Sequence, residues 1–143
     1  MSRNYWLFKS EPHVFSFDDL TAKGKKGSEW DGVRNYAARN NMRAMQIGDL
    51  GFFYHSNAGM DIVGIAEVCA LAHPDSTTDD PRWECVDIRA VKPVPKPVTL
   101  AQVKANPKLS EMALVRLGRL SVQPVTPEEW QEVCRMMELD PAP

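Results

Sequence analysis

Between Leu50 and Val91 three β-rich runs follow one another with no helical pattern between them. Leu50 to His55 (LGFFYH) and Ile62 to Ala70 (IVGIAEVCA) are separated by Ser56-Asn57-Ala58-Gly59, the pattern of a hairpin with a longer loop. Trp83 to Val91 (WECVDIRAV) sets Val86, Ile88 and Ala90 against Asp87 and Arg89, the two-residue period of a half-buried strand. Strands that succeed each other without crossover helices pair antiparallel. The succession therefore excludes the regular βαβ alternation of a doubly wound sheet and requires a mainly antiparallel or mixed one.

The flanking segments supply the remaining elements. Tyr5 to Phe8 (YWLF) reads as a first strand, and Pro12 disfavours helical geometry at Glu11. Ser16-Phe17-Asp18-Asp19 is a capping box that starts a short helix near Phe17, and Lys23 to Ser28 is a basic, glycine-rich loop. His73 to Arg82 reads as an irregular loop. Lys92-Pro-Val-Pro-Lys-Pro97 is expected to be an extended connector, because its prolines cannot donate to a ladder. Thr99 to Gln102 opens another helix that ends before Pro107, and Glu111 to Arg116 is a further short one. Leu120 to Val125, with Pro124, reads as an edge strand. Thr126-Pro127-Glu128-Glu129 combines cap, proline at the first position and glutamate at the third, starting a last helix with Trp130, Val133, Cys134 and Met137 on one face. The order is β-α-α-β-β-β-α-β-α. It predicts an α+β fold, a small mixed or antiparallel β-barrel with flanking helices, as a single domain over residues 1–143.

Charge and motif content narrow the function. The 143 residues carry a net charge of −2, so any nucleic-acid binding must be focused in a site rather than spread over a basic surface. Cys69, Cys85 and Cys134 are far apart and odd in number, which reads as reduced, mostly buried thiols. His13, His55 and His73 lie in separate segments, with no cysteine or histidine at metal-ligand spacing, so neither a metal nor a cofactor is expected. No nucleotide-binding or hydrolase motif occurs, and the acidic pairs Asp18-Asp19 and Glu128-Glu129 are explained by helix dipoles. No apolar run is long enough for a signal-peptide core or a membrane span, so the expected location is cytoplasmic, or nuclear in a eukaryote.

Three polar-aromatic clusters remain: Lys9-Ser10-Glu11, Trp30-Asp31 with the arginines and asparagines that follow, and Tyr54-His55-Ser56-Asn57. Each lies where a regular element meets a loop, as ligand sites often do. Their chemistry suits a nucleobase. Trp30 offers a flat stacking face; Ser10, Asn35, His55 and Asn57 carry groups that read a base edge. Lys9, Lys25, Lys26, Arg34 and Arg39 are the phosphate candidates, and Arg43 has the weakest claim. A core role for Trp30 and solvated surface arginines are the competing explanations. Within the helix of this stretch, Val33, Tyr36, Ala37, Asn40, Ala44 and Ile47 share one broad face, which places Asn40 among apolar neighbours where it must find a partner. Either Asp31 or Asn35 can cap that helix; with Asn35 as cap, Trp30 to Arg34 is extended.

NYWLFKSEPHVFSFDDL, EWDGVRNYAARNNMR, GDLGFFYHSN, GIAEV, PRWECVDIRAV and LSVQPVTPEEW together resemble the EVE domain of thymocyte nuclear protein and its small bacterial relatives, across nearly the whole chain. The resemblance implies a PUA-like fold related to YTH domains, and a non-catalytic reader of modified bases in DNA or RNA. It also implies a setting near restriction and defence proteins. By the same resemblance Lys9, Ser10, Trp30 and Asp31 line the base pocket, and Tyr54, His55, Ser56 and Asn57 form its edge. The segment HPDSTTDDPR is shorter than the tyrosine-containing loop of many EVE domains, which leaves Trp83 as a substitute second aromatic or as a packing residue. Two rival functions are an enzyme acting on a nucleoside, with His55 as acid or base and Asp31 as its partner, and a protein-interaction module.

Overall fold

The computed structural model describes residues 3–57, 59–139 and 141–143. The strands are β1 (Tyr5–Ser10), β2 (Ser28–Glu29), β3 (Leu50–His55), β4 (Asp61–Pro74), β5 (Glu84–Thr99) and β6 (Val122–Val125); the α-helices are α1 (Phe17–Ala22), α2 (Tyr36–Ala44), α3 (Leu100–Ala105), α4 (Ala113–Arg116) and α5 (Pro127–Met136). The six strands form one mixed sheet in the order β2-β5-β4-β3-β1-β6. The neighbours β1 and β3 are parallel and every other pairing is antiparallel. The expected α+β class holds. The sheet is open, with β2 and β6 as its edges, so among the described residues no hydrogen-bonded ring closes the barrel.

Period-2 alternation sends side chains to two faces, and each face has its own core. Leu7, Phe52, Ile65 and Val98 pack beneath Trp130, Val133 and Met137 of the α5 segment. Trp6, Phe8, Phe53, Val86 and Ile88 pack beneath Phe17 and Leu20 of α1 and Ala38 and Met42 of α2. The helix starts at Ser16, Thr99 and Thr126 are closed by reciprocal capping boxes, as their sequences specify.

Expectations for the strand ends and for α2 need correction. The proline segment Lys92–Pro97 is not a free connector: it continues β5, with Lys92 opposite Ile65 and Pro93 opposite Gly64. Among the described residues, only the two of β2 cover β5 on its far side, opposite Asp87 and Ile88. The later half of β5 is therefore an edge, where proline's missing donor costs no ladder bond. Likewise His73 and Pro74 belong to β4 rather than to the following loop, and face Cys85 and Glu84.

The second correction concerns α2. Its buried residues are Ala38 and Met42, whereas Tyr36 is 50% exposed and Ile47 is 64% exposed. Ala37, Asn40 and Ala44 also face outward. Of the predicted apolar face, only Val33, ahead of the helix, packs against the core. The helix docks through a small alanine and a flexible methionine, and Tyr36 stacks instead on Trp83 at the surface, ring centroids 5.0 Å apart. Asn40 consequently accepts from the neighbouring Arg39 guanidinium, and the tie to the sheet is made by Asn41, whose Nδ2 donates to the Val122 carbonyl at 2.8 Å.

Candidate functional site

The end of β1 and the extended segment before α2 face each other across a cavity of about 620 Å³. Lys9, Ser10 and Glu11 form one wall, Ser28 to Arg34 the other, and Val14, Phe15, Lys23 and Ser121 complete it. Gly27 permits the approach. Its φ is +72°, and a Cβ at this position would lie 2.2 Å from the Ile88 carbonyl oxygen, so no side chain fits where β2 joins β5. Asn35 then ends the extended stretch: its Oδ1 accepts the Ala38 amide at 2.9 Å, so Asn35 rather than Asp31 caps α2.

Trp30 is both core and wall. It is 8% exposed, and its ring meets Phe8 and Phe53 edge-on with centroids 5.3 Å and 5.5 Å away. Phe15 approaches from the cavity side at 6.2 Å, also edge-on. The aromatic wall is therefore rigid and mostly covered. Asp31 is exposed at the rim. Partial burial, with the charges of Asp75 and Glu29, pushes its carboxyl above the ordinary aspartate value. Ser10 donates to the Phe15 carbonyl and fixes the turn after β1. Lys9 donates to the Gly118 carbonyl, and desolvation lowers its ammonium from the usual lysine value.

A second groove of about 490 Å³ adjoins the first through Lys9, Glu11 and Ser121. It gathers Tyr54, Ser56 and Asn57 with Lys104 and Arg119. Lys9 Nζ lies 5.7 Å from the centre of the Tyr54 ring, at the junction of the two spaces. Asn57 donates to Glu11 at 2.7 Å, tying the β3–β4 turn to the end of β1.

Other sequence candidates lie elsewhere. The His55 ring faces α1, where Nε2 accepts the Phe17 amide at 3.1 Å. Lys25 and Lys26 form a 3-10 turn, and Lys25 borders a depression with Glu67 and Arg89 rather than the cavity. Arg34 lines the cavity but pairs with Asp75 at 3.1 Å; Arg43 pairs with Glu84; Arg39 donates to the Arg82 carbonyl. Arg34 and Arg39 hold α2 and its approach to the β4–β5 loop, and Arg43 ties the helix to the start of β5. Trp83 stacks on Tyr36, with Arg34 over its ring as well, and does not line the cavity. Phe15, Lys23, Ser121, Lys104 and Arg119 were not foreseen. Phe15 and Ser121 lie in segments that carry the family resemblance and Lys23 opens the basic loop, but only aromatic or basic character could have singled out Phe15, Lys23, Lys104 and Arg119, and no local signal singles out Ser121.

A larger depression of about 820 Å³ lies between α5 and the C-terminal segment. Two of its charged residues, Glu132 and Arg135, are paired with each other, Glu132 also accepts from Asn106, and the described residues that line it include no aromatic ring. The cavity at Trp30 is the better candidate for a planar ligand.

Comparison with known proteins agrees with this fold. The EVE domain matches residues 4–136. Mouse thymocyte nuclear protein 1 is 37% identical over 97% of the chain and 76% of its own length. A crystal structure of an Agrobacterium tumefaciens protein is 64% identical and superposes with a TM-score of 0.95, over 98% of this chain and 99% of that one. Human THYN1, in a crystal structure with DNA containing 5-methylcytosine, is 36% identical with a TM-score of 0.88, over 96% of this chain and 99% of that one. No helix among the described residues is long and apolar enough to cross a membrane.

Proposed function

The chain belongs to the EVE domain family, and from that premise we propose that it is a non-catalytic reader of a modified nucleobase, held in the cavity between Lys9-Ser10 and Trp30-Asp31. The observation that carries the reading is this pairing of a rigid aromatic wall with a polar rim, in a space large enough for an unstacked base. Trp30 and Phe15 exclude water and contact the ring; Asp31 accepts from an exocyclic amine or ring N–H; the Ser10 hydroxyl is within the same wall. The adjoining groove, with Lys9, Lys104 and Arg119, suits the phosphates on either side of an extruded nucleotide. That a human relative was crystallised with 5-methylcytosine DNA favours modified DNA as the ligand class.

The enzymatic alternative needs His55 and Asp31 to act on one substrate. His55 lies outside the cavity lining and its Nε2 is occupied by the Phe17 amide, so the geometry does not favour a proton-transfer pair. The test is fluorescence anisotropy with matched duplexes, one bearing 5-methylcytosine and one unmodified, at two salt concentrations. The reading predicts tighter binding of the modified duplex, with both affinities falling as salt rises. Equal affinity for the two duplexes, and for further modified DNA and RNA oligonucleotides, would overturn it.

A further inference from the structure

Behind the Trp30 wall, residues from three neighbouring strands meet on one patch of sheet. His73 on β4 lies opposite Cys85 on β5, and Glu29 on β2 lies opposite Asp87 two residues further along β5. Side chains at i and i+2 share a face and adjacent strands are about 4.8 Å apart, so Glu29, His73 and Cys85 converge, with Asp87 beside His73. Cys85 Sγ is 3.6 Å from Glu29 Oε1, and one donor atom each from Glu29, His73 and Cys85 lies within 4.8 Å of the other two. The thiol is buried while Glu29 and His73 are half-buried, which leaves a path from solvent.

We propose that Glu29, His73 and Cys85 bind a divalent transition-metal ion of the zinc type, with Asp87 as the fourth ligand. Thiolate, imidazole and carboxylate are the zinc donor types. A tetrahedron built from the usual Zn–S and Zn–O lengths has an S···O edge of about 3.5 Å, close to the observed Cys85–Glu29 separation. His73 Nδ1 faces the Pro74 carbonyl at 3.0 Å. That bond fixes the proton on Nδ1 and leaves Nε2 for the metal, the usual outer support of a ligating histidine. The same Nε2 is 2.7 Å from Asp87 Oδ1, a proton-sharing contact that must open to the tetrahedral N···O edge of about 3.4 Å for the ion to take the proton's place. Binding releases the Cys85 thiol proton, and any proton that His73 Nε2 shares with Asp87, to solvent, and nothing is oxidised or reduced. Without the ion, burial and the nearby carboxylates hold the Cys85 thiol above its ordinary value, as a protonated group in a negative corner. Linear spacing, which argued against a metal, says nothing about ligands gathered from three strands.

The experiment is titration of chelator-treated protein with Co²⁺, followed by displacement with Zn²⁺. The expected result is one Co²⁺ per chain with a thiolate-to-metal absorption band, bleached by Zn²⁺. Cys85→Ser removes the band, Cys69→Ser and Cys134→Ser keep it, and His73→Gln and Asp87→Asn each weaken binding by about tenfold or more. Absence of the band in the wild type, or its survival in folded Cys85→Ser, overturns the proposal. If Cys85→Ser fails to fold, unchanged Co²⁺ affinity in both Glu29→Gln and His73→Gln overturns it equally.

Discussion

Arg34 Nη1 lies 3.1 Å from Asp75 Oδ2, joining the cavity wall to the loop between β4 and β5. Asp75 is buried and also accepts the Gly32 amide at 2.9 Å and the Thr77 amide at 2.8 Å. Burial alone would raise its carboxyl, but the hydrogen bonds from Thr77, Gly32 and Arg34 prevail and hold it down to about 2. A depressed carboxyl contributes stability that is complete above its ordinary value of 3.8 and is lost as pH falls toward 2. The melting-temperature gap between wild type and Asp75→Asn should thus stay constant from neutral pH to about pH 5 and shrink steadily below it. A gap that does not change with pH would contradict this role.

Asn41, not Asn40, should be the asparagine that stabilises α2. Asn41→Ala leaves the Val122 carbonyl without its donor and should cost about 1–3 kcal/mol in urea unfolding. Asn40 is exposed, and Asn40→Ala should change stability by less than about 0.5 kcal/mol. The reverse order would mean that α2 docks through its other face.

Asn35→Ala should cost about 1 kcal/mol, the usual loss of an N-cap, and Asn35→Asp should restore most of it. Neither change should alter preference between modified and unmodified oligonucleotides. A lost preference in folded Asn35→Asp would instead return Asn35 to base reading.

These cases show which information the sequence carries locally. A capping box is a four-residue contact, so Ser16, Thr99 and Thr126 are readable in isolation. Strand identity is also local for the β-rich runs Leu50–His55 and Ile62–Ala70 and for the period-2 alternation of Val86 to Ala90, since each is written along one segment. Which face of α2 docks is not local: a helical wheel fixes angles between side chains but not the rotation of the whole helix, and Asn40 and Asn41 differ by only about 100°. The prolines of β5 are tolerated because β2 is two residues long, a fact about another segment. Lys9, Ser10, Trp30 and Asp31 were legible as cavity residues through their family resemblance, and they do share the cavity. The arginines were misleading, since a carboxylate 41 positions away takes the charge of Arg34.

Trp30→Ala tests stability more than recognition. Removing an indole packed against Phe8, Phe15 and Phe53 should cost about 3–5 kcal/mol. Trp30→Phe should lose much less and remain usable for binding measurements. Circular dichroism during urea unfolding checks both. A small loss for Trp30→Ala would show that the ring is a movable cage wall rather than part of the core.

Asp31 separates recognition from folding most cleanly, because it lines the cavity while partial burial, with repulsion from Asp75 and Glu29, works against its charge. Asp31→Asn should melt at the same temperature as the wild type or slightly higher. The decisive measurement is the ratio of affinities for 5-methylcytosine and unmodified duplexes in wild type and Asp31→Asn. The account predicts a clear preference in the wild type, reduced by about tenfold in the variant, the scale of one lost base-edge contact. An Asp31→Asn protein that keeps the full wild-type preference would contradict the assignment of this cavity as the reading site.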